Sequence, residues 1–143
     1  MSHAIESFVG EHRFLSNFFP VEIAYQGDVY PSIEHAYQAA KTSSKAERDK
    51  IREARTSGMA KRLGRRVTLR PDWEAVKLSI MHTLVFQKFA NNKVLKAELL
   101  ATGDSQLVEG NYWRDTFWGV YRGKGENHLG KILMKVRDQI KMW

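Results

Sequence analysis

One run of twelve residues, Tyr30-Pro31-Ser32-Ile33-Glu34-His35-Ala36-Tyr37-Gln38-Ala39-Ala40-Lys41, restricts this chain more than any other. Pro31-Ser32 is a helix start, with the Ser32 hydroxyl placed to accept from open amides of the first turn. At about 100° per residue, Glu34, Gln38 and Lys41 fall on one narrow stripe. Ala36, Tyr37, Ala39 and Ala40 leave the rest of the helix nearly without polar positions. Two readings are open. The stripe is a solvated Glu-to-Lys ladder, or it faces a cavity inside the fold.

The chain has 143 residues, which suits one domain over residues 1–143. No run of 18 apolar residues exists, so no transmembrane helix is expected. Met1-Ser2-His3-Ala4-Ile5-Glu6 lacks the basic and apolar regions of a signal peptide. Cysteine is absent, which removes disulfides and thiolate zinc sites and agrees with a cytoplasmic location. Histidines 3, 12, 35, 82 and 128 show no ligand spacing, so no metal is expected, and His35 reads as structural. No Ser-His-Asp arrangement or nucleophile elbow is present. The net charge of +7 suits a phosphate, a nucleotide or nucleic acid.

Ile5–Val9 and Val21–Tyr25 read as short strands, and Gln26-Gly27-Asp28 as a hairpin turn before Val29-Tyr30. Between them, Arg13-Phe14-Leu15-Ser16-Asn17-Phe18-Phe19-Pro20 interleaves three Phe with polar residues. It is a loop folded on the core, or an aromatic clamp for a flat ring with Arg13 and Asn17 serving polar groups. Residues 44–55 read as a charged surface helix whose one large apolar side chain is Ile51. Ser57 is the expected cap of a short helix over Met59–Leu63. Lys61-Arg62-Leu63-Gly64-Arg65-Arg66, with Arg70, is the densest basic patch. It is a solvated face or a phosphate-binding rim, where arginine forks would serve.

Pro71-Asp72 opens a core helix to about Ala90, with Trp73, Val76, Ile80 and Leu84 at helical spacing and Trp73 at its mouth. Asn92 is the expected cap of a helix carrying Leu95, Leu99 and Leu100. A strand is expected near Gln106–Gly110. Asn127 is the expected cap of a last helix with Leu129, Ile132, Leu133, Val136 and Ile140 on its apolar stripe. Gly123, Gly125 and Gly130 around Asn127 match neither a dinucleotide fingerprint nor a P-loop.

Several motifs then occur in a recognisable order. They are Phe14-Leu15-Ser16-Asn17-Phe18, Ser32-Ile33-Glu34-His35 with Gln38 and Lys41, Gly64-Arg65, and Arg70-Pro71-Asp72-Trp73-Glu74. Leu107-Val108-Glu109, Asp115-Thr116-Phe117-Trp118-Gly119 and Gly125-Glu126-Asn127-His128-Leu129-Gly130 follow, with Leu133-Met134 and Arg137. From about residue 6 to the end the chain resembles the YbiA-like proteins of the NADAR superfamily.

The resemblance implies an α+β fold, predominantly helical, in a single domain with a few short strands. It implies an N-glycosidase that breaks a bond between ribose C1′ and nitrogen, with no cofactor and no membrane. The substrate is ADP-ribosylated guanine in DNA or RNA, which the charge favours, or a phosphorylated ribosyl intermediate of riboflavin synthesis. A module that binds ADP-ribose without turnover is the third expectation. Carried over by position, the functional acid is Glu34, the lysine that forms a Schiff base is Lys41, and Asp115 assists. The same carry-over places Trp73, Trp118 and Gly119 in the pocket, and Arg13, Ser16, Asn17, Phe18, Gln38, Arg65, Arg70 and Asn127 are expected, from their residue types, to bind substrate. Val120-Tyr121-Arg122 stands where relatives often carry a second glycine, a departure that bears on substrate choice.

Overall fold

The computed structural model describes residues 3–142. Met1, Ser2 and Trp143, which the single-domain expectation includes, lie outside the described residues. The fold is α+β and helix-dominated, with a few short strands. Residues 17–88 form one compact unit, and the chain up to Ser16 with the chain from Phe89 forms another.

In the first unit, strands β2 (Ile23–Tyr25) and β3 (Asp28–Tyr30) pair antiparallel, Ile23 opposite Tyr30 and Tyr25 opposite Asp28. Gln26 and Gly27 alone join them, with φ of 48° and 87°. Positive φ at both positions suits a two-residue turn whose twist matches the strands. The expected turn is therefore shorter by one residue, because Asp28 pairs. Ile23 and Tyr30 are buried while Val29 is exposed, the alternation of a half-buried ribbon. The Gln87 side chain closes the β2 edge, accepting from Ala24 N (2.7 Å) and donating to Ala24 O (2.8 Å).

Helix α1 (Ile33–Ala39) packs against the hairpin, α2 (Lys45–Arg52) and α3 (Ser57–Gly64), and all seven of its residues are buried. The Ser32 Oγ caps it, accepting from His35 N at 3.1 Å. Ser44 caps α2, and Ile51 is the residue α2 buries. Thr56, rather than Ser57, caps α3, its hydroxyl accepting from Met59 N at 3.1 Å. Either side chain can cap, and α3 begins one residue early enough to choose Thr56. Helix α4 spans Trp73–Ala90. Its buried stripe is Trp73, Met81, Leu84, Val85, Lys88 and Phe89, whereas Val76 and Ile80 are only partly covered.

In the other unit, β1 (Ala4–Ile5) pairs parallel with β4 (Gln106–Leu107). The strand expected over Ile5–Val9 ends at Ile5, where its partner β4 also ends at Leu107, and a 3-10 helix, Gly10–Leu15, follows. That helix buries Phe14 and Leu15, and Phe14 meets Phe89 edge-on at 6.4 Å. Helix α5 (Lys93–Ala101) and β4 both pack on α6 (His128–Lys141), which buries Leu129, Leu133, Val136 and Ile140. Asn127 precedes α6 but does not cap it through its side chain. Among the described residues no helix is long and apolar enough to cross a membrane.

Candidate active site

The polar stripe of α1 is inside the protein. Glu34 is 7% exposed and Gln38 is 4% exposed, which rules out the solvated ladder. Gln38 Nε2 donates to Glu34 Oε2 at 2.6 Å. A carboxylate can only accept, so this contact also orients the Gln38 amide. Its Oε1 points the other way, is buried, and finds no donor among the described residues. Gly64 of α3 makes this possible, since a Cβ there would lie 1.9 Å from that oxygen. A second buried acceptor, Asn17 Oδ1, also lacks a donor. The Asn17 amide donates to Met81 Sδ at 3.5 Å, and Asn17 O accepts from Glu34 N at 3.1 Å.

Lys41 lies just past the end of α1, half-buried, with Nζ 5.9 Å from the centroid of the Tyr37 ring. Burial lowers its pKa from the ordinary 10.5; the Glu34 charge opposes that, and Arg65, Lys77 and Lys61 add to it. An acid and an amine seven positions apart thus sense each other electrostatically inside one unit. Tyr37 packs on Trp73 with ring centroids 5.1 Å apart. Trp73 is 4% exposed, so it lies within the packing rather than at an open mouth. The Tyr37 ring is one of the groups against it.

The neighbouring residues have distinct states. Phe18 is 44% exposed. Arg65 follows α3 and is exposed; its backbone N donates to Arg62 O at 3.2 Å, and its side chain makes no hydrogen bond or ion pair among the described residues. Arg70 instead forks onto Asp72 (2.6 and 3.0 Å), and its backbone N donates to Lys41 O at 2.7 Å. It ties the turn before α4 to the end of α1. His35 is structural: Nε2 lies 3.0 Å from Ala54 O and Nδ1 lies 2.7 Å from Ser32 Oγ. The carbonyl requires a proton on Nε2, and burial lowers the His35 pKa, so the ring is neutral with Nδ1 as acceptor.

The remaining expected residues belong to the other unit. Asp115 Oδ1 accepts from Phe117 N (3.0 Å) and Trp118 N (2.9 Å), closing a tight turn. Trp118 packs edge-on against Phe117 at 4.9 Å. Gly119 is enforced by Glu109, whose backbone O would sit 2.1 Å from a Cβ. The Asn127 amide is fully engaged, accepting from Glu109 N and donating to Leu107 O, both at 2.9 Å. The replaced loop is a two-residue turn: Tyr121 and Lys124 pair across Arg122 and Gly123, both at positive φ. Arg13 is exposed, and Ser16 N donates to Arg13 O at 3.0 Å.

Three features escaped the sequence reading. Tyr37 reads as apolar filling, although its position four before Lys41 signals the contact. Gly64 carries no chemistry and is legible only once α1 and α3 are packed. Lys88 sits at 1% exposure, over the Phe19 ring at 5.3 Å. Its place on the α4 stripe between Leu84 and Val85 was the available signal. Among the described residues no cluster of three or more His, Asp or Glu could hold a metal ion.

Comparison with known proteins places these residues in context. The model of the NADAR domain matches residues 6–141. A riboflavin biosynthesis protein of Vibrio vulnificus is 40% identical over 90% of this chain, which spans only 36% of that protein. An N-glycosidase of Nostoc punctiforme is 43% identical, covering 88% of this chain and 84% of its own. The NMR structure of the Escherichia coli protein YbiA superposes with a TM-score of 0.87 at 34% identity, covering 99% of this chain and 88% of that one.

Proposed function

This chain belongs to the NADAR family, and from that premise we propose that it is an N-glycosidase hydrolysing a ribose C1′–N bond, with ADP-ribosylated guanine in nucleic acid as its preferred substrate. The observation that carries the reading is the pairing of Glu34 with Lys41. One is a buried carboxylate held by an amide donor, and the other an amine whose ammonium form is disfavoured.

Cleavage of a C1′–N bond builds positive charge on the sugar, and a fixed carboxylate stabilises it or takes a proton from a ribose hydroxyl. The leaving nitrogen keeps the bonding pair and gains a proton. The neutral Lys41 Nζ bonds to C1′ and loses a proton. As the C=N bond forms, O4′ leaves C1′ with its electrons and is protonated, so the ring opens. Water then adds to the imine, releases the sugar and restores the amine. Gln38 Oε1 and Asn17 Oδ1, two acceptors without donors, suit ribose hydroxyls. Phe18 offers an exposed ring for stacking, and Arg65 an uncommitted fork for phosphate.

The test is incubation with an oligonucleotide carrying ADP-ribosylated guanine. Release of ADP-ribose with intact guanine is expected, and Glu34→Gln should lower the rate by about 10²–10⁴-fold. Borohydride added during turnover should leave a reduced sugar adduct on Lys41. Near-normal activity of Lys41→Ala would remove the covalent route and leave the glycosidase assignment. Asp115→Asn retains an acceptor for Phe117 N and Trp118 N, so a large loss of rate would assign its charge to the chemistry.

A second reading is favoured by the name of the Vibrio vulnificus relative. It keeps the same bond cleavage on a phosphorylated ribosylamine of riboflavin synthesis. Turnover of that compound without release of ADP-ribose would select it. Full function in Glu34→Gln would instead leave a module that binds ADP-ribose without turnover.

A further inference from the structure

We propose that the face formed by α2 and α3 is a docking surface for a nucleic-acid strand, which holds the polymer on which the scissile ribose is carried. The inference rests on the nucleic-acid reading of the active site and names the partner of that site.

The net charge of this protein is confined to one segment. Residues 44–70 hold ten Lys and Arg against three acids, an excess of seven, and the whole chain holds 23 against 16, the same excess. Everything outside those 27 residues is therefore neutral in sum. Internal pairing does not consume this charge. Asp49 takes Lys45 and Arg52, and Arg70 takes Asp72 from outside the segment. Glu47 is occupied by the Thr42 hydroxyl (2.6 Å) and the Thr68 amide (3.1 Å). Lys50, Arg55, Arg62, Arg65 and Arg66 are all exposed, and their side chains make no hydrogen bond or ion pair among the described residues. Four of these five are arginines, whose forks can meet phosphate with two hydrogen bonds.

The cations are also ordered in space. Lys50 of α2 and Arg66 beyond α3 line one cavity of about 120 Å³ together with Glu47, Ile51, Leu63 and Val67. Arg65, the neighbour of Arg66, is close enough to the Lys41 amine to disfavour its charge. A basic track thus runs from the proposed nucleophile through Arg65 and Arg66 to Lys50. The apolar lining residues, Ile51, Leu63 and Val67, suit a base edge or a sugar face between phosphates. A membrane is a poorer fit, because α2 and α3 expose a single large apolar side chain, Met59 at 37%.

The experiment titrates an unmodified single-stranded oligonucleotide, without ADP-ribose, against the full chain by fluorescence anisotropy. Binding is expected, with log K falling against log salt at a slope of about −3.5, as five cations on a single strand imply. Lys50→Glu with Arg55→Glu should weaken binding about 10–100-fold at low salt and flatten the slope by more than 1. Both residues are exposed, and turnover of ADP-ribosylated guanosine as a free nucleoside should be unchanged, while KM for the oligonucleotide form rises. Absence of salt-dependent binding overturns the proposal. So does a double variant that binds as the parent does, a polyglutamate of equal charge that competes equally, or adsorption to anionic vesicles in place of the oligonucleotide. Binding needs no turnover, so binding without glycosidase activity would retire the enzyme reading alone. Turnover of the free nucleoside without strand binding would retire the docking surface alone.

Discussion

At the scale of single residues, Lys41 is set by competition between an acid and its cationic neighbours. Burial depresses its pKa most, Glu34 opposes that, and Arg65 contributes to the depression. Replacing Arg65 with Gln removes a like charge, so the pKa of Lys41 should rise. The nucleophile is the neutral amine, so the rising limb of the pH–rate profile should move to higher pH and the rate at neutral pH should fall. A profile recorded for both proteins checks this, and an unmoved limb would detach Arg65 from Lys41. Gly64 makes a second case. An alanine there must displace the Gln38 amide, the group that holds Glu34. Gly64→Ala should cost about 1–3 kcal/mol in urea unfolding and lower activity together with it, although the glycine itself does no chemistry. The identity of Glu34 and Lys41 as a pair was legible from their spacing. Their burial was not, because a carboxylate and an amine at helical spacing describe a surface ladder equally well until α2, α3 and the hairpin cover the helix.

At the scale of elements, local signals located most boundaries. Ser32, Ser44 and the Gln26-Gly27 turn act as their residue types require. Ser32 does more than cap: its Oγ also meets His35 Nδ1 at 2.7 Å and accepts from Ser57 Oγ at 3.0 Å. Ser32→Ala should therefore cost at least the 1 kcal/mol or so of an ordinary cap, with the His35 ring losing a partner; chemical denaturation of the two proteins measures it. The errors are equally physical. Adjacent Thr56 and Ser57 are both competent caps, and only the packing of α3 on α1 chooses between them. Helix α4 follows its period, yet Val76 and Ile80 are only half covered, because the period fixes which residues share a face and not how much of that face finds a neighbour. The short strands β1 and β4 pair across a hundred residues of sequence, where local pattern carries no information.

At the scale of the whole molecule, Lys88 links stability to pH. Burial alone pushes its pKa down to about 7 from 10.5. Between those values the unfolded chain binds a proton there that the folded protein does not, so stability should rise with pH from about 7 to 10.5 and level off below 7. Lys88→Met keeps the stem volume without the charge and should flatten that rise while increasing stability at neutral pH, as thermal or urea melts across the range would measure. If the wild-type curve is already flat, the ammonium is stabilised by its surroundings. The helical character of the chain, its few short strands, the acid–amine spacing and the concentration of charge in residues 44–70 follow from the sequence alone, because they depend on residue types at fixed intervals. Which polar side chains are taken out of water was decided only by the tertiary structure. Glu34, Gln38 and Lys88 entered the interior, Arg70 turned to Asp72, and the Asn127 amide turned to the backbone around β4. Arg70 and Gln38 find partners two and four residues away, but what covers Glu34, Gln38 and Lys88 comes from other elements, and desolvation is a property of the assembled fold rather than of any window of sequence.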